Sequence, residues 1–257
     1  MTKTIWFWVA VVTVYVTALF QVGEYLFFFL PEARLQTAAR VLIVISLGFV
    51  MWKFIPSAWG RVVSRPTGNR MLVVGFISLA VLAPVYGGNE LGDLKVSLLL
   101  NYFVGSMLVG VAEEFVSRGV VFGLCERANV WWAVGVSSVS FGSLHFMNLR
   151  GGADFGGVVV LVITAACFGV LMAGMMVFSG TIWVPVVVHG LYNFPLAQFS
   201  GDGDGGGIIT ARFIVFFTVI GLAQIAVGLA LVWYSDHEPV RIKRLMVRWK
   251  LIKDPVC

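Results

Sequence analysis

Charge is what this chain has least of. Of its 257 residues only 12% are Asp, Glu, Lys or Arg, against 59% hydrophobic, and the mean hydropathy is +0.93. A soluble domain carries about 25% charged residues, so these values lie well outside the soluble range. No nucleic-acid partner is expected. Cysteine is also scarce: Cys125, Cys167 and Cys257 are odd in number and lack C-x-x-C spacing. A disulfide framework and a thiolate zinc site are both excluded on that basis, leaving free thiols. There is no H-E-x-x-H segment and no repeat of fixed period. The apolar run after Lys3 continues to about Leu30 without a small-residue cleavage pattern, which reads as a retained first helix rather than a signal peptide. Cys257 is the last residue rather than the fourth from the end, so no prenylation signal is expected.

What the chain has is apolar runs long enough to cross a bilayer, which takes roughly 20 residues of helix. Segmentation by such runs gives eight spans, near 5–29, 38–55, 71–87, 96–118, 131–148, 157–178, 181–199 and 209–234. The expected fold is therefore all-α, a polytopic transmembrane helix bundle forming one integral membrane domain over 1–240, with a basic tail over 241–257. The Gly/Asp patch from Ser200 to Gly207 reads as a loop. Cytoplasmic loops retain Lys and Arg. With both termini inside, the cytoplasmic side collects Lys3, Lys53, Arg61, Arg65, Arg70, Arg118, Arg127 and the basic tail; Arg34, Arg40, Lys95, Arg150 and Arg212 fall opposite, beside Glu90, Asp93, Asp202 and Asp204. The tail, which includes Trp249, reads first as an ordinary topogenic segment, with contact to anionic headgroups as the alternative.

Against this background Glu113 and Glu114, adjacent inside the fourth span, stand out, because a carboxylate at bilayer depth costs at least a few kcal/mol. Glu114 and Arg118 are four apart and share a helix face, in the order that suits an ion pair. Glu113 is turned from Glu114 by about 100°. The two acids are thus expected to do different jobs, one neutralised by its arginine as scaffold, the other facing a cavity as a usable base. Phe141, His145 and Asn148 share a face of the fifth span, and His189 and Asn193 repeat the four-residue spacing on the seventh. Converged in a bundle, Glu, His and His-plus-Asn form a hydrolase constellation that can hold a polarised water or a divalent metal. Zinc is the natural candidate, with Glu113, His145 and His189 as ligands. Gln21 and Glu24 of the first span carry no matching motif and are read as packing or interface residues.

These residues resemble a known family. Glu113-Glu114-Phe115-Val116-Ser117-Arg118 is similar to its E-E-x-x-x-R motif, Phe141 to His145 to its F-x-x-x-H, and His189 to Asn193 to its H-x-x-x-N. The family is the CPBP group of intramembrane proteases: CAAX prenyl endopeptidases of the Ras-converting type and bacterial relatives linked to bacteriocin processing and immunity. The resemblance covers the core from about Leu98 to Asn193. It implies that Glu113 is the general base, that Glu114 and Arg118 support it, and that His145, His189 and Asn193 complete the site and stabilise the oxyanion. It implies a membrane-associated, lipidated or tethered protein or peptide as substrate, a metal-dependent or glutamate-dependent reaction, and a cavity usually open to the cytoplasm. A bacterial inner membrane is the expected location.

Other chemistries leave more unexplained. Gly201-Asp202-Gly203-Asp204 matches the G-x-G-D of aspartyl intramembrane proteases but sits in the glycine-rich loop, and Gly135-Val136-Ser137-Ser138, a rhomboid-like serine, leaves Glu113, Glu114 and Arg118 without a role. A non-enzyme alternative uses the same polar cavity as an ion relay or as an immunity or partner-helix scaffold. In that reading each His and Asn is an interhelical hydrogen-bonding group.

Overall fold

The computed structural model describes residues 33–66, 68–87, 96–151, 153–199 and 211–248, and every element among them is helical. In order they are α1 (Ala33–Phe54), α2 (Pro56–Val63), α3 (Gly68–Gly87), α4 (Val96–Glu114), a π-helical stretch (Phe115–Val121), α5 (Phe122–Cys125), α6 (Val130–Leu144), a 3-10 stretch (His145–Gly151), α7 (Phe155–Ser179), α8 (Trp183–Phe199) and α9 (Ala211–Arg248). Backbone chemistry sets the breaks between them. Ile55 precedes Pro56 and leaves the helical region (φ −132°, ψ 71°), as a residue before proline tends to, so α2 turns from α1 by 119°. Asn129 caps α6 by accepting from the Trp131 amide at 2.7 Å, and Asp154 caps α7 by accepting from the Gly157 amide at 3.0 Å. Gly180 closes α7 with φ 77°, the left-handed conformation that glycine adopts without cost.

By length and composition three helices can cross a membrane, Gly68–Tyr86, Phe155–Ser179 and Phe216–His237, and a fourth is gained if the bent pair α1–α2 is one span. The all-α expectation holds among the described residues. The count of eight spans and the orientation of the termini stay expectations from hydropathy, and the first span (5–29) lies outside the described residues together with the Gly/Asp loop and residues 249–257. Several boundaries are corrected. The fourth span does not stop at 118 but runs on as helix to Cys125, because the π-helical stretch absorbs the turn containing Arg118. Arg118 is consequently no cytoplasmic loop charge; it is wholly buried. The fifth span is α-helical only to Leu144 and continues as 3-10 winding from His145, on which Asn148 is exposed. The basic 53–70 segment contains α2, and α9 continues past residue 240 to Arg248.

Helix α7 packs between α6 and α9, while α4 packs along α8. Without a hydrophobic drive between apolar helices in lipid, close backbone approach at small residues supplies the contact. A Cβ on Gly174 of α7 would lie 2.4 Å from the Gly228 carbonyl oxygen of α9, and one on Gly110 of α4 would lie 2.9 Å from the Gly190 amide nitrogen of α8. Only glycine permits those crossings. Polar contacts knot the segments at one end. Ile182 N donates to Arg61 O at 3.2 Å, Trp183 Nε1 to Val62 O at 2.8 Å, Arg127 Nη2 to Phe54 O at 2.9 Å and Arg70 Nη1 to Phe178 O at 2.8 Å, while Arg61 forms a two-pronged ion pair with Glu126. The turns before α2, α3, α6 and α8 therefore share one arginine-rich end.

Candidate active site

The Gly110–Gly190 crossing decides the site. Gly110 lies one turn before Glu113 and Glu114, and Gly190 follows His189, so the closest approach of α4 and α8 sets the carboxylates against the imidazole. Glu114 is wholly buried, and its Oε1 accepts from Arg118 Nη1 at 3.0 Å and lies 3.0 Å from His189 Nδ1. An ionised carboxylate only accepts, which makes Nδ1 the protonated nitrogen of His189. Nε2 then faces the other acid, 3.5 Å from Glu113 Oε2. Glu113 keeps 17% of its side chain exposed where Glu114 has none. The two neighbours thus occupy different environments, as their angular separation on the helix requires.

Arg118 is anchored from three sides. Besides Glu114, its Nη2 donates to the Gly169 carbonyl of α7 at 3.0 Å, and its guanidinium stacks 4.6 Å from the centroid of Phe141 on α6. A Cβ at position 169 would meet Ser138 Cα at 3.0 Å and Arg118 Nη2 at 3.3 Å, so the missing side chain makes room for the guanidinium. Phe141 also meets His145 and His189 edge-on, at 5.4 and 5.3 Å between ring centroids, and Phe168 packs against both His189 (5.6 Å) and Tyr192 (5.0 Å). A desolvated cation over an aromatic face is worth about 0.5 to 2 kcal/mol, which gives Phe141 a task beyond packing beside His145.

Glu113, Glu114, Arg118 and His189 are in direct contact. His145 joins them through Phe141 and holds its Nδ1 3.3 Å from the Phe141 carbonyl oxygen, while Asn193 lies one turn beyond His189 on α8 and is partly exposed. Sequence reasoning passed over Gly110, Gly169, Gly190 and Phe168; small residues beside motif positions were the available signal for Gly110 and Gly190.

The donors do not fit the anticipated metal as they stand. Among the described residues no three His, Cys, Asp or Glu side chains are arranged to hold an ion. Both nitrogens of His189 face carboxylates, and Nδ1 of His145 faces a backbone carbonyl.

Residues 95–195 match the family model described as "Type II CAAX prenyl endopeptidase Rce1-like". That match bears out the resemblance over the segment holding all three motifs, and with the apolar helices it marks the chain as an integral membrane protein carrying a protease-type segment. No curated protein and no solved structure matches the chain.

Proposed function

We propose that this protein is an intramembrane endopeptidase that hydrolyses a peptide bond near the end of a membrane-associated protein or peptide, using water activated by Glu113. The observation that carries the proposal is the division of labour between adjacent acids: Glu114 is sealed in by Arg118 and His189, whereas Glu113 alone keeps solvent access beside Nε2. Glu113 takes a proton from water as the water oxygen bonds to the scissile carbonyl carbon. Negative charge then develops on the carbonyl oxygen, and His145 and Asn193 are the donors assigned to it in this reading. His189, its Nδ1 proton fixed by Glu114, offers Nε2 to share the proton held by Glu113. As the carbon–nitrogen bond breaks, that proton passes to the leaving nitrogen, giving one carboxylic acid and one amine.

The matched family's name supports a lipid-bearing C-terminal segment as substrate class, the hydropathy supports a membrane as the site of action, and a bacterial inner membrane is the membrane this reading takes. The direct test is cleavage of a membrane-tethered reporter by Glu113→Gln. Removal of a general base costs about 10²- to 10⁴-fold, with folding unchanged because Glu113 is partly exposed and glutamine keeps its shape and a polar group beside His189 Nε2. Full cleavage by this variant would remove Glu113 from the reaction.

A further inference from the structure

Helix α8, which carries His189 and Asn193, has a proline in its interior, Pro195. Proline has no amide hydrogen, so the α-helical bond from position 195 to the Leu191 carbonyl cannot form. That bond would span Tyr192, Asn193 and Phe194, the turn that presents Asn193. In a bilayer, a carbonyl freed by proline is satisfied by a neighbouring helix, a hydroxyl group or water. Tyr86, one residue before the end of α3, takes this place: its hydroxyl donates to the Leu191 carbonyl oxygen at 3.0 Å. Helical rise of about 1.5 Å per residue puts Leu191 about 3 Å along the axis from both His189 and Asn193. The side chains flanking Asn193 rest on other helices, Tyr192 on Phe168 of α7 at 5.0 Å and Phe194 edge-on to Phe103 of α4 at 5.5 Å. Those ring contacts hold side chains. The Tyr86 hydroxyl holds the backbone between the two motif residues.

We propose that Tyr86 is a positioning residue whose hydroxyl stands in for the amide that Pro195 lacks and keeps Asn193 oriented relative to His189. Tyr86 belongs to none of the three motifs and lies outside the matched segment 95–195. Helix α3, which carries no motif residue, thereby takes part in shaping the site through one interhelical hydrogen bond. The effect on rate rests on the hydrolytic reading, whereas the effect on the backbone of α8 does not. Asn193 is assigned to charge that exists only as the reaction proceeds, so loosening its turn lowers kcat more than it raises KM.

The test is a double-variant cycle in the full-length protein purified in detergent. Tyr86→Phe removes only the hydroxyl, and Pro195→Ala supplies the missing amide, with Pro195→Ser as the substitute should Pro195→Ala fail to accumulate. With the membrane-tethered reporter, Tyr86→Phe should lower kcat about three- to tenfold, the scale of one net hydrogen bond, with KM changed by less than about twofold. Combined with Pro195→Ala, the same Tyr86→Phe change should cost less than about twofold, because the helix then closes its own turn. Hydrogen–deuterium exchange over His189–Phe199, counted without the amide at position 195, supplies a readout that needs no cleavage: faster in Tyr86→Phe, restored in the double variant. An unchanged kcat in Tyr86→Phe overturns the proposal. So does an equal loss in both backgrounds, which makes Tyr86 a packing residue only. If the parent cleaves nothing, the hydrolytic reading fails by itself; exchange still decides on Tyr86, and rates unaffected by Tyr86→Phe overturn its hold on the turn.

Discussion

Replacement of Arg118 by methionine isolates the energetics of the site. Methionine keeps much of the volume and removes the charge. Glu114 Oε1 then loses the donor at 3.0 Å and keeps only His189, while the Gly169 carbonyl loses its side-chain donor and Phe141 its cation. Because both side chains of the Arg118–Glu114 pair are wholly buried, solvent cannot compensate. Breaking a buried pair from one side costs about 3–5 kcal/mol, largely the penalty of the stranded charge. The orphaned carbonyl overlaps with that penalty and is not added to it. At roughly 2–4 °C per kcal/mol for a chain of this size, the apparent unfolding temperature in detergent falls by about 10 °C. Adding Glu114→Gln to Arg118→Met removes the stranded charge, so the double variant recovers a large part of the loss. Intrinsic tryptophan fluorescence on heating, at one scan rate and detergent concentration for all four proteins of the cycle, reads the effect. An unfolding temperature for Arg118→Met within 1–2 °C of the parent, or a double variant less stable than both singles, would refute the view that Arg118 chiefly compensates Glu114.

Two further predictions follow from the geometry. Gly110→Ala drives a Cβ against the Gly190 backbone at 2.9 Å, whereas Gly190→Ala meets first the flexible end of Met107, with the nearest backbone atom, Met107 Cα, at 3.2 Å; reporter cleavage should fall more than tenfold in the first and less in the second, with equal losses counting against the crossing as the positioning device. Elemental analysis of the purified protein should give metal well below one equivalent, and His145→Ala and His189→Ala should leave that value unchanged; stoichiometric metal lost in both variants would reverse the reading of the donor set.

The helical character and the polar core were legible because intramembrane charge is so rare that each acid, arginine and histidine in an apolar run is informative. The i, i+4 spacing led correctly to the Glu114–Arg118 contact. Spacing within one helix says nothing of its neighbours, and so the Gly169 carbonyl and the stacking of Arg118 on Phe141 were out of reach. Hydropathy also counted Arg118 as a loop residue, because an averaged window cannot see that a guanidinium is neutralised from several sides. The break at His145 was invisible for a different reason: Phe141, His145 and Asn148 keep a helical spacing on paper, while the backbone tightens at His145. The turn at Pro56 falls where the apolar run of the second span ends, near residue 55.

The hydrogen-bonded knot of Arg61, Val62, Phe54 and Phe178 has a mechanical consequence. Rods clamped together at one tip behave like the arms of tweezers. Small tilts about the clamped tip spread the free tips most, and the Glu113–His189 separation, lying between, widens by only a fraction of that amount. Motion at the free tips therefore leaves the reacting groups almost in register.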